Sequence, residues 1–293
     1  MFWGSTYIGI RIAIETLPPF LMASVRFLIA GAVLYAWCRF RGVGDRVGSR
    51  QWGACLIIGT ALAIGNAGVV WGEQYIASGV TSILVATVPF WMVLIGLVAF
   101  KQPIGRLIWV GLALGFSGLV LLVAPTSAGG INAWAAVAVL VAATGWASGS
   151  VFPRALPMPA EPLLSAALQL LVMGAALGVA GIAAGEVAPV HVAAISARSV
   201  IALVYLIAFG SLVGFTSYSW LLKVAPISTI STYAYVNPVV ALLLGWLLLG
   251  EQITFRTLIA CTVVLAGVAL IVVGRARQPL ESGPGPVEVV RSA

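Results

Sequence analysis

Residues 77–99 read ASGVTSILVATVPFWMVLIGLVA, a run without a charged side chain. A helix needs about 20 mostly apolar residues to cross the roughly 30 Å hydrocarbon core of a bilayer. The run is long enough, and it lacks the strict alternation of polar and apolar residues found in membrane β-strands, so it predicts a transmembrane helix. Similar runs along the chain give ten predicted spans, at 2–17, 19–38, 52–72, 77–99, 104–124, 132–152, 162–184, 199–222, 226–249 and 253–274.

The composition of the whole chain agrees with a membrane protein. Of its 293 residues, 61% are hydrophobic and 8% are charged, whereas a soluble domain carries about 25% charged residues. This shortage excludes an ordinary soluble enzyme, a disordered protein and a nucleic-acid binder. The 3 cysteines lack metal-site spacing, His191 is the single histidine, and no phosphate-binding GxxxxGKS/T motif occurs. We therefore expect no catalytic residue, no metal site and no cofactor.

The net charge of +7 is explained by membrane topology without a nucleic-acid partner. If the N-terminus is cytoplasmic, eleven of the fifteen lysines and arginines lie on the cytoplasmic side, as the positive-inside rule requires. Both termini are therefore expected in the cytoplasm. Residues 275–293 have too little apolar content to pack and are expected to form a disordered cytoplasmic tail.

The two halves of the chain resemble each other. At an offset of 149, residues of the first half match identical residues of the second, among them the pairs Pro89 and Pro238, and Gly118 and Gly267. Nearer the start the offset is 143 and pairs Trp3 with Trp146. Residues 1–125 and 131–274 then hold five spans each. Because five is odd, the second half must enter the membrane in the opposite direction. Such inverted repeats are typical of secondary transporters, although a duplication without transport stays open.

Three short motifs resemble those of a known family. They are Trp3-Gly4-Ser5-Thr6-Tyr7, Ala86-Thr87-Val88-Pro89, and Tyr233-Ala234-Tyr235-Val236-Asn237-Pro238 with the following Gly250-Glu251. In these motifs the chain resembles EamA-type members of the drug/metabolite transporter superfamily, and among them the YedA-type metabolite exporters. The resemblance extends over essentially the whole chain. It implies an all-α membrane protein of ten helices in two EamA repeats, located in the bacterial inner membrane, that exports small metabolites or drugs.

Charged residues within the spans are the first candidates for function, because a charge in hydrocarbon is costly. Arg11 and Glu15 are four residues apart and are expected to pair on one helix face. Arg26 is expected near the same membrane level. Together they could gate a cavity or attract an anionic substrate group, or they could tether the first two helices, and we favour the tether. Glu73, near the end of the third span, could carry a coupling proton or be a solvated carboxylate at the interface.

Aromatic and hydroxyl side chains are the candidates for binding an amphipathic substrate. Most rings at span ends are expected to belong to the interfacial belt, but Trp3 and Trp146 match across the repeat and each precedes a nearby serine. Asn66 is expected either to face the cavity or to bond between helices. The predicted substrate-binding set is Trp3, Ser5, Thr6, Tyr7, Asn66, Trp146, Ser148, Ser150, Tyr218, Tyr233 and Asn237.

Pro89 and Pro238 lie within predicted spans at matching positions of the repeat. A proline in a helix removes a hydrogen bond and produces a kink, which serves either static packing or a hinge. Their matched positions favour gating.

The sequence as a whole predicts a secondary-active transporter that works by alternating access and exports small amphipathic metabolites, such as amino acids, or drugs. A facilitator or exchanger without ion coupling is the first alternative, because few carboxylates lie within the spans. A structural membrane bundle without transport is the second. The expected partners are a small-molecule substrate and the lipid bilayer. A homodimer stays open, and a monomer is sufficient for transport.

Overall fold

The computed structural model describes residues 2–44, 46–125, 130–188, 192–224 and 233–277. Within these ranges the chain forms helices and no strands. The α-helices are α1 (Phe2–Ala13), α2 (Pro19–Phe40), α3 (Ser49–Gly72), α4 (Ser78–Val85), α5 (Val88–Phe100), α6 (Arg106–Val123), α7 (Ala133–Val151), α8 (Pro162–Ala183), α9 (Ala197–Tyr205), α10 (Gly214–Val224), α11 (Tyr233–Leu249) and α12 (Phe255–Arg277).

Eight helical stretches of the described residues are long and apolar enough to cross a membrane. The prediction of an all-helical membrane protein is therefore confirmed, while the count of ten spans is not. The stretch Ala234–Leu249 is apolar but shorter, and the start of the ninth predicted span lies outside the described residues. The first predicted span, 2–17, is too long at its end. Helix α1 has 12 residues and measures about 18 Å.

The early end of α1 has a local cause. Residues 14–16 form a turn ahead of Pro18 and Pro19, and a residue that precedes proline is disfavoured in the α conformation. Pro19 instead begins α2, where a missing N–H costs nothing.

Two predicted spans are interrupted. The span at 77–99 consists of α4 and α5, which are separated at Ala86 and Thr87, because Pro89 in the first turn of α5 has no N–H to donate backwards. Thr87 Oγ1 donates to the carbonyl oxygen of Leu84 at 2.6 Å. The span at 199–222 contains a π-helical segment, Leu206–Val213, between α9 and α10. This segment was not predicted from the sequence.

Helices α2 and α8 pack closely, and a glycine of each helix lies against the backbone of a leucine of the other. A Cβ atom on Gly31 would lie 2.9 Å from the backbone nitrogen of Leu171, and one on Gly174 would lie 2.8 Å from that of Leu28. Gly174 lies 143 residues after Gly31, and Leu171 lies 143 residues after Leu28. The two contacts therefore join equivalent residues of the two halves, and they do so at the offset of 143 found in the sequence.

Helices α6 and α12 form a second close pair with the same reciprocity, at the offset of 149. A Cβ atom on Gly118 would lie 3.0 Å from the backbone nitrogen of Val264, and one on Gly267 would lie 2.7 Å from that of Gly115. At its end α12 continues to Arg277. Arg275 and Arg277, assigned above to the tail, are thus helical, and residues 278–293 lie outside the described part.

Candidate functional site

A central cavity lies among the helices, and most of the predicted site residues line it. Its wall comes from α1, α2, α3, α4, α5, α7 and α11, together with the π-helical segment and the start of α10. The predicted residues in the wall are Trp3, Thr6, Tyr7, Arg26, Asn66, Pro89, Trp146, Asn237 and Pro238.

Three predicted serines are not part of this wall. Ser5 Oγ lies 2.5 Å from the hydroxyl oxygen of Tyr205 on α9. Ser148 and Ser150 donate to carbonyl oxygens one turn earlier in α7, at 2.8 Å each. A serine in a helix commonly makes this bond. Tyr218 does not line the cavity, and its ring contacts that of Trp3. The side chain of Tyr233 lies outside the described part of the chain.

An aromatic cluster centred on Trp3 forms one side of the cavity. The ring centroid of Trp3 lies 6.2 Å from that of Trp146 with the planes at 85°, an edge-to-face arrangement. It also lies 6.0 Å from Phe215 and 5.3 Å from Tyr218. Trp3 Nε1 donates to the carbonyl oxygen of Gly210 at 3.2 Å. The indole edge is thus fixed by α10 and the π-helical segment, and the cluster offers a broad apolar surface.

Two asparagines supply amide groups to the same cavity. The Nδ2 atom of Asn66 donates to the carbonyl oxygen of Leu62 at 3.0 Å and lies 3.2 Å from the sulfur of Met173 on α8. Asn237 is 7% exposed, and its Oδ1 has no hydrogen-bond partner among the described residues. A buried acceptor without a partner is uncommon and costly. Asn237 therefore has an acceptor free for a bound molecule.

Arg26 brings a positive charge to the cavity wall. It is 5% exposed, its Nε donates to Ser211 Oγ at 2.9 Å, and its guanidinium carbon lies 4.6 Å from the centroid of the Phe27 ring. Its direct side-chain bond therefore runs to the π-helical segment. The favoured tether between the first two helices is not the contact that the structure shows.

A second pocket, here called the end pocket, lies at the C-terminal end of α1. Its wall includes Arg11, Glu15, Tyr75 and Glu251. Arg11 Nη1 donates to the main-chain oxygen of Glu73. The expected pair of Arg11 with Glu15 is not formed, because α1 ends at Ala13 and the two residues do not share a helical face. Glu15 instead faces Arg198 at 3.6 Å, with both side chains substantially exposed.

Glu73 lies in the turn after α3, and its main-chain oxygen accepts from Arg11 of the end pocket. It is fully buried, and neither carboxylate oxygen has a hydrogen-bond partner among the described residues. Burial raises the pKa of Glu73 well above its usual range. The charge of Glu251 adds to the rise, while Arg11 from the end pocket and Arg26 from the central cavity oppose it. The alternative of a solvated carboxylate at the interface does not match this burial.

Glu251 makes the best-defined polar contact near the end pocket. Its carboxylate accepts from Ser78 N at 2.8 Å, from Ser78 Oγ at 3.0 Å and from Gly79 N at 3.1 Å. These groups form the N-terminus of α4, where a negative charge is favoured. Glu251 belongs to one of the family motifs, but the sequence alone predicted no contact for it. From the sequence, a glutamate in a short loop that caps a distant helix cannot be distinguished from one that is exposed to solvent.

Ser211 and Phe215 also lie in the cavity region and were not predicted from the sequence. Both lie in or just after the π-helical segment, whose extra residue per turn changes which side chains face inward. A search at ordinary helical periodicity would not place them there.

Comparison with known proteins identifies the family. The model of the EamA-like transporter family matches residues 1–124 and residues 133–273, which together make up most of the chain. The chain belongs to the EamA-like transporter family. The resemblance drawn from the three motifs is thereby confirmed, and the related proteins of this family are named as transporters rather than enzymes.

Relatives of this EamA protein match it over nearly its whole length. The inner membrane transporter YedA of Escherichia coli is 35% identical, over 97% of this chain and 92% of its own. The transporter YoaV of Bacillus subtilis is 25% identical, over 92% of each chain. A solved crystal structure has a TM-score of 0.66 at 19% identity and covers 94% of this chain and 95% of its own. That last likeness shows a shared fold.

Proposed function

We propose that this EamA protein is a secondary-active transporter that exports small amphipathic metabolites, such as amino acids or related compounds, or drugs, by alternating access around the central cavity. The observation that carries the proposal is the cavity wall itself. It combines the rings of Trp3 and Trp146 with the amides of Asn66 and Asn237. A site for an amphipathic molecule needs an apolar surface with a few polar groups that orient the ligand.

Alternating access is supported by the packing of the two halves. The reciprocal contacts of Gly31 with Leu171 and of Gly174 with Leu28 are those expected for repeats 1–125 and 131–274 related by a twofold axis. Five spans in each repeat would give the halves opposite orientations. The distribution of basic residues then places both termini in the cytoplasm, and the resemblance to YedA favours the bacterial inner membrane.

The interruption before Pro89 supplies a candidate hinge for this motion. The break between α4 and α5 lies at the cavity wall, and a hinge needs a few residues that can change their backbone angles. Pro238 is at the matching position inside α11 and also lines the cavity. We propose that these two positions bend as the cavity opens to either side. Arg11 and Glu15, in the end pocket, would then gate access to that pocket.

Glu73 is the proposed site of the coupling proton. Its burial favours the protonated form, and it has charged neighbours from both the central cavity and the end pocket. A residue that carries a proton from one side of a membrane to the other needs a buried position that can communicate with both sides. The uncoupled facilitator remains the second candidate, because the described residues offer no other fully buried carboxylate.

Counterflow in proteoliposomes tests the transport function. Vesicles with purified protein are loaded with an unlabelled compound and diluted into the labelled one, over a panel of amino acids, aromatic acids and amphipathic drugs. We expect uptake above that of empty vesicles for at least one class. No uptake across the panel, by protein shown to be folded, would favour the structural bundle.

The same vesicles test the coupling. With an imposed pH gradient, Glu73→Gln should lose the gradient-driven flux and keep exchange between equal compartments. A wild-type response to the gradient would remove Glu73 from the coupling mechanism. A wild-type protein without any response would favour the facilitator.

A further inference from the structure

Arg26 is a buried cation, and no carboxylate among the residues that the structure describes is in direct contact with it. A guanidinium group has five N–H bonds, and Nε donates one of them to Ser211. The other four have no acceptor among the residues that the structure describes. Among the described residues, the ion pair with nitrogen and oxygen within 4.0 Å of each other is that of Arg198 with Glu15. No carboxylate of these residues therefore neutralises Arg26 by direct contact.

The energetic consequence is a site that favours an anion. Burial of a charge without a partner is costly. The nearby Phe27 ring offsets only part of this cost, because a cation–π contact is weaker than the direct contact of a cation with an anion. A carboxylate in the cavity would supply both the missing charge and two acceptors in the geometry that a guanidinium favours.

Glu73 does not fill this role. It lies close enough to influence Arg26 electrostatically, but its two oxygens form no hydrogen bond with any described residue. Burial favours its uncharged form, and in that form the charge of Arg26 stays uncompensated. Glu73 therefore does not supply the acceptors that Arg26 lacks among the described residues.

A second unfilled group lies in the same wall. The buried Oδ1 of Asn237 has no partner among the described residues, and it can accept from an N–H or O–H group of a ligand. Trp3 and Trp146 add the apolar surface. The cavity thus presents a cation, a free acceptor and aromatic rings.

Building on the transport function proposed above, we propose that the central cavity selects organic anions. Arg26 binds the anionic group, Asn237 accepts a hydrogen bond from the ligand, and Trp3 and Trp146 contact its apolar body. Arg26 is therefore assigned as the residue that determines the charge of the substrate.

Three probes of nearly the same shape test this assignment: indole-3-acetate, indole-3-acetamide and tryptamine carry a negative, a neutral and a positive side chain. Their affinities for the full chain in detergent or nanodiscs are measured by equilibrium dialysis of labelled indole-3-acetate and by its displacement. We expect indole-3-acetate to bind at least about tenfold more tightly than the other two, which corresponds to about 1.4 kcal/mol.

Variants separate the charge of Arg26 from its packing. Arg26→Lys should keep the preference for the anion, and Arg26→Gln should lower the affinity for indole-3-acetate at least about tenfold. Arg41→Gln is the matched control, because Arg41 also lies over a ring, that of Trp37 at 4.8 Å, but is exposed and outside the cavity. It should leave binding unchanged. The probe series on the wild-type protein stands even if Arg26→Gln fails to fold.

Several results would overturn anion selection. The first is binding of the amide or the amine as tight as, or tighter than, that of indole-3-acetate. The second is a lack of saturable indole-3-acetate binding up to about 10 mM. The third is a folded Arg26→Gln protein that binds indole-3-acetate as well as the wild type does. Counterflow keeps this failure apart from a failure of transport. Flux of neutral or cationic compounds alone would leave transport intact and remove the anion preference, whereas anion binding without any flux would support the site and remove transport.

Discussion

Trp3 Nε1 donates a hydrogen bond to the carbonyl oxygen of Gly210, 3.2 Å away, and so joins α1 to the π-helical segment at the wall of the central cavity. The same ring packs edge-to-face on Trp146 of α7. One side chain therefore connects three elements of the cavity wall.

Trp3→Ala and Trp146→Ala should each weaken substrate binding by about tenfold, because each removes a large apolar surface from the wall. The apparent affinity is measured as the half-saturating concentration in counterflow. Trp134→Ala is the matched control. Trp134 is 78% exposed on the outside of α7, and its loss should leave that concentration unchanged. Wild-type affinity in both cavity variants would show that the two rings do not line the binding site.

Glu251→Ala should lower stability by about 1–3 kcal/mol, since it leaves two backbone N–H groups of α4 and the Ser78 hydroxyl without their acceptor. Glu251→Gln keeps an acceptor and should lose less. Thermal unfolding in detergent measures both. Glu15→Gln is the control, because an exposed ion pair contributes about 0–1 kcal/mol. If Glu251→Ala unfolds at the same temperature as Glu15→Gln, Glu251 does not stabilise the start of α4.

Different parts of the site were predictable to different degrees. The internal repeat predicted Trp3, Trp146 and the two prolines, because these residues occupy matching positions in the two halves of the chain. Arg11 and Glu15 were paired wrongly because the four-residue spacing was applied beyond the end of α1. Ser211 and Phe215 were missed because a π-helical segment has no recognised pattern in the sequence. Long apolar runs fix the helices, whereas side-chain partners between distant helices depend on packing that one sequence does not reveal.

Glu73 should make stability depend on pH. Its pKa is raised in the folded protein, mainly by burial and further by Glu251, against Arg11 and Arg26. The stabilising contribution is therefore fully present below the unfolded pKa of about 4.3 and is lost as the pH rises through the folded value. Glu73→Gln removes this titration.

The measurement is the difference in unfolding temperature between the wild type and Glu73→Gln, from about pH 5 to about pH 9. We expect the unfolding temperature of the wild type to fall steadily relative to that of the variant as the pH rises. The subtraction removes the effects of the other titrating groups. A difference that is constant over this range would mean that Glu73 does not titrate with a raised pKa.

Gly31→Ala and Gly174→Ala should both destabilise the protein, by about 1–3 kcal/mol, because the added methyl group meets backbone atoms of the facing helix at 2.9 Å and 2.8 Å. The two losses should be similar, since the contacts are reciprocal. Gly53→Ala is the control within α3, where a Cβ atom meets nothing within 4 Å and alanine is the better helix former. It should be neutral or stabilising in thermal unfolding. A large loss in one of the two variants with none in the other would argue against a twofold relation between α2 and α8, and hence against the repeat on which alternating access is built.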